Sequence, residues 1–303
     1  MPGRFVAQKV QMRHLSKGFW NRVFIVFQAW RYQGEINHVT GDIHFATLLL
    51  NKKRTVLTIH DCRLLDEWNG IKYKLFRLFW FQLPLKKCQY ITVVSTFTSN
   101  RLKHHLKVND EKIRVIPVAI DERFKPLKKD FNSQRPIVLQ VGTTVNKNLH
   151  RVAAALEGVT CQLRIIGDLS NEDITVLDKY KIAYTSISNI SIDEVIQEYG
   201  NADMLLFAST YEGFGMPILE AQSTGRPVIT SNIASMPEVS GEGAALVDPY
   251  NIASIRNAVV KLIHDANYRN DLIQKGFINV NRFRINDIAE KYAELYDAIG
   301  AQR

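Results

Sequence analysis

A chain of 303 residues, 46% of them hydrophobic and 23% charged, is long enough for two domains with separate cores, and its composition excludes disorder as the default state. Its net charge of +9 is unevenly placed: residues 1–125 carry 22 Lys and Arg against nine Asp and Glu, a balance of +13, and residues 126–303 carry 17 against 21, a balance of −4. That asymmetry predicts two domains with different partners, the first being either a solvated basic surface or one that meets an anionic membrane or nucleic acid.

The opening residues lack the apolar core of a signal peptide. The longest apolar runs, VFIVF at 23–27 and LFRLFWFQLPL at 75–85, fall short of the ~20 residues that a membrane-crossing helix needs, so a cytoplasmic protein is expected. Three widely spaced cysteines, Cys62, Cys88 and Cys161, suggest free thiols in a reducing compartment rather than a disulfide frame or a zinc site. A helical, aromatic stretch over 12–32 comes first. From residue 54 onward short β-branched runs alternate with helical patterns: RTVLTIHD (54–61), QYITVVS (89–95), KIRVIP (112–117), PIVLQVG (136–142), CQLRIIG (161–167), ADMLLFAS (202–209), RPVITSN (226–232) and AALVDP (244–249). Nearly continuous apolar strands of this kind predict parallel sheets buried on both faces.

Between the third and fourth of these runs, DERFKPLKKDFNSQRP (121–136) is polar, has two prolines and lacks periodicity, and it reads as a linker. The expected organisation is therefore α/β, with two Rossmann-like domains facing a cleft: residues 1–125, residues 126–285, and a closing helix over 286–303. In open sheets of this type, ligands sit beyond the carboxyl ends of the strands.

One stretch carries most of the chemistry: STYEGFGMPILEAQSTGRPVITSN (209–232). A strand ends and Glu212-Gly213-Phe214-Gly215-Met216-Pro217 turns into a helix that carries Glu220. Pro217 suits the first helical position, glycines let backbone approach a ligand closely, and a helix start attracts anions. Carboxylates on either side are good acceptors for paired sugar hydroxyls. The combination predicts a phosphate held between two sugars, the shape of a nucleotide-sugar.

This segment, with TGRPVITSNIASMPEVSGEGAALVDP after it, resembles the donor site of retaining glycosyltransferases of family 4, which have the GT-B fold; Glu212 and Glu220 match that family's paired glutamates. The resemblance runs from about residue 36. It implies transfer of a sugar from a nucleotide-diphospho-sugar to an acceptor hydroxyl with retained configuration, in polysaccharide, lipopolysaccharide or glycolipid assembly. Under it, PIVLQVGTTVNKNLHRV (136–152) supplies Lys147 to stabilise the departing diphosphate, assisted by Gly142, Asn146 and Asn148. Thr143 and Asn146 stand where the family more commonly has an arginine, and Arg151 or a backbone amide is the expected substitute. His60, at the end of the 54–61 strand, resembles the family's histidine near the anomeric carbon. Gly167, Ile190 and Ser191 resemble its nucleotide-bordering loops, and IPVAIDERF (116–124) its domain-crossing segment.

The chain has no Asp-x-Asp, the pair commonly used to hold a divalent ion on the diphosphate, so no metal or other cofactor is expected. The acceptor is a saccharide or a lipid-linked one. IKYKLFRLFWFQLPLKK (71–87), in which Lys72, Lys74, Arg77, Lys86 and Lys87 interleave with aromatics, reads either as a helix docking on anionic lipid at the inner face of the membrane or as a core helix with a basic outer face. Nucleic acid is not expected, since no binding motif is present. Compared with the family, the first domain looks shortened at its N-terminus. Two other readings stay open: a catalytically impaired donor-binding or assembly subunit, and a GT-B-like sugar-nucleotide epimerase. A hydride-transferring Rossmann enzyme is disfavoured, because no Gly-x-Gly-x-x-Gly follows a strand.

Overall fold

Each of the eight β-branched runs quoted from residue 54 onward forms a strand, and each strand pairs in parallel with its neighbours, whereas the apolar runs at 23–27 and 75–85 are helical. The structure, a computed structural model, describes residues 5–67 and 70–301. It divides into two units, Met1–Val118 with Asn286–Arg303, and Ala119–Ile285.

The first unit opens with α1 (Phe19–Arg31), then β1 (Asn37–Val39), a 3₁₀ stretch (His44–Leu49), β2 (Thr55–Ile59) and α2 (Arg63–Glu67). There follow α3 (Ile71–Phe76), a π-helical stretch (Arg77–Gln82), α4 (Leu83–Lys86), β3 (Tyr90–Val93), α5 (Thr96–His105) and β4 (Ile113–Val115). Its sheet has the order β1-β2-β3-β4. Strands β2 and β3 are buried throughout, and the core around them takes Ile25 and Ala29 from α1 and Trp80, Phe81 and Leu85 from the 71–86 segment. That segment is continuous helix with a wide turn in the middle, and Pro84 explains the irregularity: it has no N–H for the carbonyl four residues back. The carbonyl concerned, Trp80 O, accepts instead from His44 Nδ1 at 3.0 Å. His44 is buried, and burial lowers its pKa.

The second unit comprises β5 (Ile137–Val141), α6 (Leu149–Leu156), β6 (Gln162–Ile166), α7 (Asn171–Lys179), β7 (Tyr184–Ile187), α8 (Ile192–Asn201), β8 (Met204–Phe207), α9 (Met216–Ser223), β9 (Val228–Ser231), α10 (Met236–Ser240), β10 (Ala244–Val247), α11 (Ile252–His264) and α12 (Ala266–Val280). Its sheet has the order β10-β9-β8-β5-β6-β7. Strand β7 did not stand out in the sequence because it is an edge strand whose middle residues are exposed, so it carries no buried apolar run. The 121–136 stretch contains no regular element, but it lies on the second unit: Asn132 N–H donates to Asp203 Oδ1 at 3.0 Å and Leu127 N–H to Thr224 O at 3.3 Å.

The closing helix, α13 (Ile285–Gly300), belongs to the first unit, where Tyr296 Oη is 2.6 Å from His38 Nδ1 on β1. All three cysteines are buried and unpaired. Burial pushes the thiols of Cys62 and Cys88 up to about 12 and that of Cys161 to about 11. No helix among the described residues is long and apolar enough to cross a membrane.

Candidate functional site

Strand order fixes where a ligand fits in the second unit. Connections from β5 run outward through β6 to β7, while those from β8 run the other way through β9 to β10. The loops after β5 and β8 therefore part at adjacent strand ends, the switch point at which open α/β sheets leave a crevice. Residues 142–148 and 208–215 are these loops, and they are stitched together: Thr210 N–H donates to Asn146 O at 2.8 Å and Asn146 Nδ2 to Tyr211 O at 2.9 Å.

Two opposite charges meet there. Lys147 Nζ is 2.7 Å from Glu212 Oε1, and the side chains are only 18% and 15% exposed. Asn146 Nδ2 reaches the same carboxylate oxygen at 3.4 Å. Phe207 lies beneath, its ring centroid 4.6 Å from the ammonium, an arrangement that favours a cation over the ring face. Gly142 lets the lysine take this path. Its φ is +88°, and a Cβ added there would sit 2.9 Å from Lys147 Cε; any side chain would meet both backbone strain and the lysine stem.

The glycine turn after Glu212 enters α9. Gly215 is its N-cap at φ +108°, Met216 is its first residue, and Pro217 comes second rather than first. The turn is held from below by buried Ser235, whose Oγ lies 2.9 Å from Glu212 O and 2.8 Å from Phe214 O. Phe214 is buried edge-on against Phe283, while Gly213 stays half-buried at the surface of the turn. Glu220, one turn into α9, accepts from Tyr199 Oη at 2.6 Å. Burial raises the Glu220 pKa, while Tyr199's donation and the Lys147 charge pull it back. Tyr199 is fully buried, and burial together with Glu220 raises its pKa well above the ordinary phenol value.

The other expected donor contacts have structural duties. Asn148, left-handed at φ 63° and buried, donates both amide hydrogens, to Ala208 O at 2.9 Å and Pro249 O at 2.7 Å. Its oxygen accepts from Arg151 at 2.9 Å, so Arg151 is tied back to the loop and packs over Tyr250. Thr143 Oγ1 donates to Asp168 O at 2.6 Å, placing the loop after β5 beside Gly167 at the end of β6. Gly167 N–H itself donates to Ile187 O at 2.8 Å. Ile190 is half-buried ahead of α8, and Ser191 is engaged in a reciprocal cap with Glu194.

His60 belongs to the first unit. It follows β2, is exposed, and donates from Nε2 to Thr40 O at 2.7 Å, which leaves Nδ1 as the acceptor of the neutral ring. The structure thus brings Lys147, Glu212, Asn146 and Gly142 into one cluster above Phe207. Phe207, Tyr199 and Ser235 are its unforeseen members. Their only trace in sequence is a residue type common in any core, because their partners lie 21 to 60 positions away. Among the described residues, no group of three or more His, Cys, Asp or Glu is placed to hold a metal ion.

Residues 10–124 match the family described as Glycosyltransferase Family 4, and residues 121–278 match that described as Glycosyl transferases group 1. The O-antigen chain mannosyltransferase RfbU of Salmonella typhimurium is 26% identical over 259 residues, 82% of this chain and 72% of the relative. Among solved structures, sucrose-phosphate synthase from Thermosynechococcus elongatus superposes with a TM-score of 0.77 at 18% identity, covering 94% of this chain and 79% of that one. WaaG, a glycosyltransferase involved in lipopolysaccharide biosynthesis, gives 0.71 at 15% identity, covering 95% and 86%. The fold is that of the GT-B glycosyltransferases, and the chain belongs to the glycosyl transferases group 1 family.

Proposed function

We propose that the chain is a retaining, metal-independent hexosyltransferase of polysaccharide or lipopolysaccharide assembly, acting in the cytoplasm at the inner face of the membrane. It transfers the sugar of a nucleotide-diphospho-sugar to a saccharide or lipid-linked hydroxyl. Mannose is the first donor sugar to try, because the relative RfbU is named a mannosyltransferase. The observation that carries the reading is the Lys147–Glu212 pair at the β5/β8 switch point, set against the glycine turn that opens α9.

Each charge compensates the other until substrate arrives. A diphosphate draws the ammonium away from Glu212, and the carboxylate is then available to sugar hydroxyls. As the glycosidic bond breaks, charge grows on the diphosphate, and Lys147 and the positive end of α9 stabilise it in place. Glu220, oriented by Tyr199, accepts from the hydroxyls of the other sugar. His60 hydrogen-bonds the transferred hexose. The acceptor hydroxyl attacks from the leaving-group side, and its proton passes to a diphosphate oxygen as the bond to the old oxygen breaks.

The test is to incubate the protein with GDP-, UDP- and ADP-sugars, with and without a polysaccharide-precursor extract. Nucleotide release that requires the acceptor supports transfer. Binding without turnover means a donor-binding subunit, and a new sugar-nucleotide without acceptor means an epimerase. The product's anomeric coupling in NMR reads retention, and an unchanged rate in EDTA reads metal independence.

A further inference from the structure

Helix α1 has two faces. Ile25 and Ala29 point into the core and are buried. On the opposite side, at the helical spacing i, i+4, i+7, stand Trp20, Phe24 and Phe27, which are 70%, 54% and 55% exposed. A large aromatic stripe left in water is costly, and contiguous exposed apolar surface of this kind marks a binding face. A second stripe lies on the neighbouring helical segment, where Ile71, Leu75 and Phe79 recur every fourth residue and are at least half exposed. The two are adjacent, since Arg22 of α1 stacks 4.8 Å over Trp80.

The segments that carry both stripes hold charge of one sign in sequence, with Asp42, which accepts from Trp80 Nε1 at 3.0 Å, as an exposed carboxylate beside them. Residues 1–34 hold six Lys and Arg and no acidic residue, and residues 68–109 hold eight and none. Lys17, Arg31, Lys74, Lys86 and Lys87 are exposed; the side chain of Lys72 lies outside the described residues. We infer that the outer faces of α1 and of the 71–86 segment together rest on an anionic phospholipid bilayer. Bulky rings and aliphatic chains enter the headgroup boundary while lysine and arginine meet lipid phosphates. A second copy is a poor occupant, because like charges would face each other. The aliphatic Ile71 and Leu75 gain nothing from nucleic acid, whereas the aromatic rings can stack on bases, so RNA is one arm of the test.

The inference rests on the membrane location proposed above and is separate from the donor chemistry, which its failure would leave intact. Vesicle flotation of the full chain tests it. Binding to mixed phosphatidylcholine–phosphatidylglycerol vesicles should exceed binding to phosphatidylcholine alone by at least about tenfold and should weaken as salt rises. Trp20→Ser with Phe24→Ser, and separately Lys74→Glu with Lys86→Glu, should each reduce binding by about tenfold or more, with circular dichroism and nucleoside-diphosphate binding unchanged. Flotation that is absent, salt-insensitive or as strong in both variants as in wild type overturns the inference. So does a concentration-dependent dimer that the aromatic variant abolishes, or displacement from vesicles by RNA.

Discussion

The switch-point loops of the second unit and the outer face of α1 handle charge and apolar surface in opposite ways. At the ends of β5 and β8 the lysine has its carboxylate at 2.7 Å, and buried Asn148 and Ser235 fasten the loops by their carbonyls. On α1 the rings stand in water, and no acidic residue precedes Glu35. Internal compensation produces a site whose dipoles are in place before a ligand comes, whereas uncompensated charge beside exposed rings produces a surface that is complete only with a partner. Charge partition along the chain, +13 against −4, is the coarse form of the same division.

The sharpest way to break the comparison is to remove the compensated pair. Lys147→Ala and Glu212→Ala should each lower turnover by at least about tenfold, as expected for groups facing developing charge; near-normal rates in both would dissolve the site. Next in size is the fastening of the loops. Asn148→Ala strands two buried carbonyls and should destabilise the second unit by about 2–3 kcal/mol, visible as a drop in melting temperature. An unchanged melting curve would mean that the loops hold without it.

Gly142→Ala tests close approach. Its left-handed backbone and the nearby lysine stem should cost about 1–2 kcal/mol and weaken donor binding, whereas unaltered donor KM would show that Lys147 has room to spare. A smaller effect concerns Glu220. Its pKa is raised chiefly by burial and lowered by Tyr199, so removing the phenol hydroxyl raises it further. In Tyr199→Phe the acid limb of kcat/KM for the donor should move to higher pH; an unmoved limb would separate Glu220 from donor binding.

The smallest effect lies in the first unit. Burial, helped by nearby His60, lowers the His38 pKa from 6.5 to about 4. The unfolded chain therefore binds the proton more readily between those values. His38 contributes stability that is present above pH 6.5 and is lost as pH falls toward 4. His38→Gln should flatten that part of the stability profile, as read by denaturant midpoints across the range.

Much of the architecture was legible because two-face burial writes itself as apolar runs, as in IVL of β5 and MLLF of β8. Strand β7 escaped because an edge position needs no such run. Glu212, Lys147 and the glycine turn were legible as residue types gathered near strand ends. The direct contact between Lys147 and Glu212 was not, since 65 positions separate them and only the sheet order makes their loops neighbours. Asn148 read as a ligand contact because an asparagine beside a phosphate loop suits that role equally well; its burial and its two carbonyl acceptors assign it to the scaffold. Likewise the aromatic 12–32 stretch announced a helix, but only the packing of Ile25 and Ala29 shows which rings face out.

Calorimetric titration of a nucleoside diphosphate and of its sugar conjugate into wild type, Lys147→Ala and Glu212→Ala addresses the central claim most directly. Removing Lys147 should weaken both ligands by about tenfold or more. Removing Glu212 should leave the bare diphosphate bound at least as tightly, by freeing the ammonium, while the sugar conjugate loses its advantage. Equal affinities for both ligands across all three proteins would contradict the account.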